Sequence, residues 1–386
     1  MGIVSRYMRM ARSATALGVA FVFFANGFIF SNWVVRIPTV KETLGINDAE
    51  LGIALVFLAI GALVGMPVAG SLIGRLGSGR IAATIGSLYV ALFFIVGLAD
   101  SLPLLCAALL LLGLGNGAMD VAMNAQADAT ETAIGQRIMS ACHAMWSLGL
   151  AFGTIPAGIF AQLGVPVAIH LLTVGLPVAV GVVIAARVAS PDRPHEGPAA
   201  PAFALPRGPL LFFGLICFCG AIVEGAMNDW IAVYVEDFLA LGPVSAATTY
   251  GAFATAMLIA RIVGDATTER FGAAMVVRVG LLVAAIGLVT ALSGLLALMI
   301  VGFFAVGLGV AGIFPAVFRA AGRLPGHAPG PSMASAVTLG YAGFLLGPAA
   351  IGFVAQATSL SIALAMLIPL CLIGAVLARA LTLAED

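Results

Sequence analysis

The chain has 386 residues, a formal net charge of zero, 62% hydrophobic and only 9% charged residues, and a mean hydropathy of +1.15. A soluble domain carries about 25% charged residues, so this composition cannot build a water-facing surface, and the balanced charge excludes the basic face that a nucleic-acid partner needs. The apolar runs are long and continuous rather than alternating at period two, which indicates membrane-spanning helices instead of a β-barrel.

In chain order, Arg6, Arg9 and Arg12 precede an apolar segment from about Ala14 to Val35. It is longer than a signal-peptide core and lacks a small-residue cleavage site, so it reads as an uncleaved first span. Windows of about 20 apolar residues place twelve spans. Six lie near 14–35, 51–72, 81–99, 103–125, 138–163 and 166–187. Six more lie near 209–235, 245–266, 274–293, 295–318, 332–356 and 360–382. Twelve spans put both termini on one side. Arg75, Arg80, Arg137, Arg187 to Arg207, Arg261 to Arg278, Arg319, Arg323 and Arg379 fall on segments of that side, with Arg36 and Lys41 opposite. The positive-inside rule therefore predicts cytoplasmic termini. Residues 188–208 are polar and proline-rich and read as a cytoplasmic linker. It separates a six-helix bundle over 1–187 from a second over 209–386.

The halves repeat each other. Leu44-Gly45 follows Trp33 as Leu241-Gly242 follows Trp230, and Arg75-Leu-Gly77 returns as Glu269-Arg-Phe-Gly272. Gly113-Leu-Gly115 returns as Gly307-Leu-Gly309, and Ala161-Gln162 as Ala355-Gln356. Four matches in order with an almost constant offset are the mark of parallel repeats. The five cysteines (106, 142, 217, 219 and 371) lie in apolar segments with no metal-ligand spacing, so they read as packing residues.

Span 4 carries the most informative stretch, Gly113 to Gln126. Helical spacing puts Asn116, Asp120 and Asn124 on one face, while the glycines at 113, 115 and 117 allow another helix to approach. An acid inside a span is costly and faces a cavity, a partner or a pathway. Asp120 lies about 17 residues into the span, roughly 25 Å along it, towards the cytoplasmic side. It is either a proton-exchanging group or a structural carboxylate bonded to Asn116, Asn124 or an arginine.

Glu224 in span 7, with Asn228 a turn later, is the second deep acid; its alternative is a buried acid bonded to a neighbouring helix. Trp33 and Trp230 stand near the outer ends of spans 1 and 7, either in the interfacial aromatic belt or stacked on a ligand beside Asn32, Asn228 and Asp229. Arg36 and Asp229 form a candidate pair at the outer gate. His143 and Trp146 lie a turn apart in span 5, as a buried structural pair or as contacts near Asp120. Asn26 and Tyr341 are further polar candidates. Arg319 is placed to snorkel into the cytoplasmic interface, and His170 has no supporting constellation.

On these motifs the chain resembles the major facilitator superfamily over essentially its whole length. The superfamily signature after span 2, Gly-x-x-x-Asp-Arg-x-Gly-Arg, is matched in outline by Gly70-Ser-Leu-Ile-Gly74-Arg75-Leu-Gly77, with Gly74 replacing the acid; the second copy keeps it as Glu269, followed by Arg270. Arg75, Glu269 and Arg270 are therefore candidate gating residues. Pro38 leading to Leu51-Gly52, together with the Gly-Leu-Gly motif ending at Asp120 and Asn124, resembles the fucose-permease-like branch. Arg36-Ile-Pro38 and Asn228-Asp-Trp230 resemble a bacterial inner-membrane subgroup.

The resemblance implies a transporter rather than an enzyme, a monomer in the bacterial inner membrane, with the proton gradient as energy source and no cofactor. Its small-molecule substrate would be a sugar or sugar-like metabolite, with Asp120 and Glu224 handling protons. Asn26, Asn32, Trp33, Asn116, Asn124, His143, Trp146, Asn228, Trp230 and Tyr341 would contact the solute. The alternatives are a proton-antiport exporter of amphipathic compounds and a non-transporting receptor on the same fold.

Overall fold

The computed structural model describes residues 13–188, 205–327 and 329–384. The arginines of the N-terminus and most of the 188–208 linker therefore lie outside the described residues. Helices account for nearly all of what is described. They are α1 (Ala14–Val34), α2 (Ile37–Leu44), α3 (Asp48–Leu76), α4 (Ser78–Val96), α5 (Leu102–Ile134), α6 (Met139–Gln162), α7 (Val167–Val188) and α8 (Pro209–Leu239). There follow α9 (Pro243–Phe271), α10 (Ala273–Ala291), α11 (Leu296–Val310), α12 (Ile313–Arg323), α13 (Pro329–Ala357), α14 (Leu360–Ala365) and α15 (Leu367–Leu377), closed by a 3-10 turn at Ala378–Ala384.

Among the described residues, twelve helical stretches are long and apolar enough to cross a membrane, each matching an expected span to within a few residues at most ends. Ile155, Val180, Ile286 and Val289 are more than half exposed, which only a hydrocarbon surround tolerates at this density. Several spans overrun their sequence-based ends, the fourth by the most. α5 continues to Ile134, where Gly135 takes φ 64° and stops it, and α9 continues to Phe271. Asp120 is thereby the nineteenth residue of a 33-residue helix, near its middle rather than towards one end.

Local chemistry fixes several helix starts. The Ser13 hydroxyl accepts from the Ala16 N–H. Asn47 and Glu50 form a reciprocal box at α3, with the Asn47 N–H donating to Glu50 Oε2 at 2.9 Å and the Glu50 N–H to Asn47 Oδ1 at 3.0 Å. The repeated motifs share a backbone conformation. Gly77 before α4 has φ 84° and ψ 151°, and Gly272 before α10 has φ 80° and ψ 157°, a region open only to glycine.

The chain divides into two compact units. The first takes in the described residues of Met1–Ile46, Ala54–Glu196 and Gly242–Gly251; the second takes in those of Asn47–Ile53, Gly197–Leu241 and Ala252–Asp386. In the first, α1 packs along α6 and α7, and α4 along α5 and α7. Backbones meet there through glycines. A methyl at Gly27 would stand 3.0 Å from the Trp146 carbonyl carbon, and one at Gly113 or Gly117 would strike the α3 backbone at Leu58 or Ala62. In the second unit α13 packs along α8, and α10 along α11 and α15.

Candidate functional site

The first unit gathers polar groups from four helices around Asp120. Gly115 leaves room here: a Cβ there would meet Leu92 Cδ1 at 2.6 Å and Tyr89 Cδ2 at 3.3 Å, so the missing side chain lets Leu92 and the Tyr89 ring lie close against α5. The Tyr89 hydroxyl donates to Asn116 Oδ1 at 2.6 Å, its ring braced edge-on by Phe93 at 4.7 Å. It also stands close to Asn26 and Asp120.

One turn beyond Asn116, Asp120 is half-buried, and Asn124 Nδ2 donates to its Oδ1 at 3.2 Å and to its backbone carbonyl at 2.8 Å. Across the α1–α6 contact, the Trp146 indole donates to Asn26 Oδ1 at 2.8 Å. Asn26 is 4% exposed, and its Nδ2 has no acceptor. Among the described residues, no cation lies within ion-pair distance of Asp120. The cluster therefore offers a carboxylate, three amides, a phenol and an indole, with a buried donor left to satisfy. His143 is a neighbour on α6, its ring edge-on to Phe23 at 5.2 Å.

Asn32, expected among the solute contacts, has a different task. It is fully buried; its Nδ2 donates to the Phe28 carbonyl at 2.7 Å, and its Oδ1 lies 2.8 Å from His170 Nε2. An amide oxygen only accepts, so His170 carries its proton on Nε2. His170 is itself fully buried and stacked on Phe160 at 4.8 Å. This corrects the expectation that it stands without a constellation. Arg36, 2% exposed, donates from Nη2 to the Val165 carbonyl at 2.7 Å. Trp33 is 1% exposed, which removes it from a surface belt.

The second unit holds a chain of charges. Glu224 of α8, 7% exposed, faces Arg261 of α9, with Arg261 Nη2 at 3.5 Å from Glu224 Oε1. One helical turn along α9, Asp265 Oδ1 takes Arg319 Nη2 of α12 at 2.8 Å. Arg261, counted among the cytoplasmic-side charges near the end of the eighth span, lies within α9, ten residues before its end. Arg319 is bound to Asp265 rather than reaching free into an interface.

Trp230 is fully buried and its indole nitrogen finds no acceptor, so it too is no belt residue. Asn228 is buried one turn from Glu224, while Asp229 and Tyr341 are half-buried. Arg75, Glu269 and Arg270 are exposed near helix ends, Arg270 lying over the Phe271 ring at 5.1 Å. The five cysteines are buried and free, and among the described residues no group of three or more His, Cys, Asp or Glu could hold a metal.

Sequence reasoning missed Tyr89, Arg261, Asp265 and His170. The Arg261/Asp265 spacing of four within a hydrophobic helix was a signal available in the sequence. Tyr89 had none, because only its fit against Gly115 distinguishes it.

Comparison with known proteins bears on this arrangement. Residues 19–268 match the Major Facilitator Superfamily. An uncharacterised transporter of that type from Yersinia pestis is 35% identical over 365 residues, covering 93% of this chain and 94% of its own length. The uncharacterised transporter y4wD of Sinorhizobium fredii is 35% identical over 347 residues, covering 89% and 92%. A crystal structure of the nucleoside transporter NupG superposes with a TM-score of 0.70 over 96% of this chain and 98% of its own, at 14% identity.

Proposed function

Because the chain belongs to the major facilitator superfamily, and is thus a multi-pass secondary transporter of a small molecule rather than an enzyme, we propose that it moves a small, uncharged, hydroxyl-rich solute by proton symport. A sugar or sugar-like metabolite is the class. The reading rests on the inventory around Asp120: a carboxylate among Asn26, Tyr89, Asn116, Asn124 and Trp146, with no cation beside it among the described residues. Such groups exchange hydrogen bonds with hydroxyls and stack on a sugar face, and an acid with no counter-ion crosses a membrane interior best with a proton on it. The resemblance to the fucose-permease-like branch supports the same class.

In this reading Asp120 and Glu224 handle protons. His143, Asn228 and Tyr341 line the route, while Asn32, Trp33 and Trp230 hold the helices that present it. The bundles 1–187 and 209–386, joined by 188–208, alternate access as a monomer in the bacterial inner membrane with both termini cytoplasmic. Arg36 with Asp229, and Arg75 with Glu269 and Arg270, serve the two gates. Charge exchange at positions 36 and 229 that leaves activity as low as either single variant removes that pairing.

The test is a thermal-shift screen of purified protein against monosaccharides and amphipathic cations, followed by pH recording in liposomes with any sugar that stabilises. Asp120→Asn should retain the shift and lose substrate-dependent proton movement; unchanged coupling in that variant refutes the role of Asp120. A second reading, export of amphipathic compounds, draws on one observation. An apolar cavity of about 580 Å³ in the first unit is lined by Leu17, Phe21, Phe24, Met145, Ala185 and Val188. Stabilisation by amphipathic cations alone would favour it.

A further inference from the structure

In the first unit, α1 carries different chemistry on its two sides. Leu17, Phe21, Phe24 and Phe28 recur at helical spacing along one of them. Asn26, two residues from Phe24 and so about 200° round the helix, turns the other way to meet Trp146. The apolar side forms the floor of the cavity of about 580 Å³, with walls from α6 at Met145 and from α7 at Ala185 and Val188. Glycines set how closely the pieces fit. A Cβ at Gly18 would lie 2.8 Å from the Ala185 carbonyl oxygen, so α1 rests on the α7 backbone, and a Cβ at Gly181 would lie 2.6 Å from Phe21 Cζ, so that ring lies flush on α7.

The groove selects its occupant by polarity, depth and charge. None of the described lining residues has a nitrogen or oxygen in its side chain, so a hydroxyl-rich solute would lose its hydrogen bonds there. Leu17 and Val188 are exposed, which leaves the groove open along the surface of the unit. From Ala14 at one end to Phe24 at the other it follows ten residues of α1, about 15 Å. That is half of the roughly 30 Å hydrocarbon core, the depth of a single leaflet. Cations gather at the Ala14 end: exposed Arg187 precedes Val188, and Arg6, Arg9 and Arg12 stand directly before α1 in the sequence. An acyl chain matches the length and lining of the groove, and an anionic headgroup matches the charge at its mouth.

We propose that this groove is a binding site for an anionic phospholipid of the bilayer, with one acyl chain along α1 between α6 and α7 and the headgroup beside Arg187. A lipid seated there holds α1 against both neighbours and so supports the helix that presents Asn26 on its other side. The site is separate from the cluster around Asp120, and no sugar enters its test.

The purified full chain in detergent is titrated with phosphatidylglycerol and, separately, with phosphatidylcholine of the same acyl chains, and thermal midpoints are recorded. Phosphatidylglycerol should stabilise at about tenfold lower concentration than phosphatidylcholine. The paired variant Arg12→Gln/Arg187→Gln should abolish that difference. Leu17→Trp, which fills the groove from an exposed position, should weaken both lipids by about tenfold. Val180→Trp, exposed on α7 outside the groove, should weaken neither. Val188→Trp serves in place of Leu17→Trp should that variant fail to accumulate.

Two lipids of equal potency on the unaltered chain overturn the anionic headgroup, and titrations that Leu17→Trp and Val188→Trp leave unchanged overturn the groove as the site. An amphipathic cation that stabilises the chain and displaces phosphatidylglycerol from it would make the groove a stop on an export route and overturn the resident lipid. Stabilisation by a sugar but by neither lipid would leave the symport reading standing and remove this site.

Discussion

Replacing Gly27 with alanine is the sharpest probe of how the site is assembled. α1 and α6 touch backbone to backbone at Gly27, Gly149 and Gly153. The added methyl overlaps the Trp146 carbonyl oxygen and stands 3.0 Å from its carbon and 3.1 Å from the Leu150 nitrogen. Relaxed contacts between carbons lie at about 3.5–4.0 Å, so the helices must part by about 1 Å. Overpacking of this kind costs about 1–3 kcal/mol. Parting also strains the Trp146–Asn26 hydrogen bond, now 2.8 Å, which is worth about 0.5–1.5 kcal/mol.

The combined loss of roughly 1.5–4.5 kcal/mol should lower the thermal midpoint of the detergent-solubilised protein and weaken binding of any stabilising sugar. The control is Gly70→Ala, where a methyl meets nothing within 4 Å; gain of helix propensity there leaves stability equal or slightly raised. Equal midpoints for the two variants would refute the argument that close approach of α1 and α6 builds the site.

Other outcomes follow from the same geometry. Tyr89→Phe removes the donor to Asn116 Oδ1 and should weaken sugar binding by about tenfold in a thermal-shift titration, while the fold stays intact; unaltered binding would take Tyr89 out of the site. The Glu131 carboxylate accepts the Ile138 and Met139 N–H groups at the start of α6. Glu131→Ala should therefore cost about 0.5–2 kcal/mol in thermal unfolding, and Glu131→Gln, which keeps the acceptor, clearly less. His170→Phe preserves the stack on Phe160 but strands the buried Asn32 Oδ1, a loss of about 1–3 kcal/mol. His170→Gln, able to donate again, should recover most of it, and identical midpoints for the two would show that the hydrogen bond contributes nothing.

Much of the architecture was legible because membrane insertion writes itself into the sequence locally. Hydrocarbon demands about 20 apolar residues per crossing, so the twelve spans emerge from composition in successive windows. The internal repeats are equally local, since Gly77 and Gly272 each satisfy a backbone conformation that only glycine adopts. Asp120 and Glu224 stood out for a similar reason, being acids where few are tolerated. The helical face shared by Asn116, Asp120 and Asn124 followed from their spacing, and two of the three glycines before them do admit α3.

What surrounds those acids depended on the tertiary structure, because partners brought together by packing leave no mark in linear spacing. Tyr89 lies close over Gly115 and reaches Asn116 from another helix, and Asn26 meets Trp146 where Gly27 lets two backbones touch. Asn32 has the composition of a binding residue, yet both ends of its amide are spent on Phe28 and His170. Arg261 stands inside the expected eighth span but its spacing names no partner across the helix contact. Burying a guanidinium requires a carboxylate, and Glu224 on another helix supplies it.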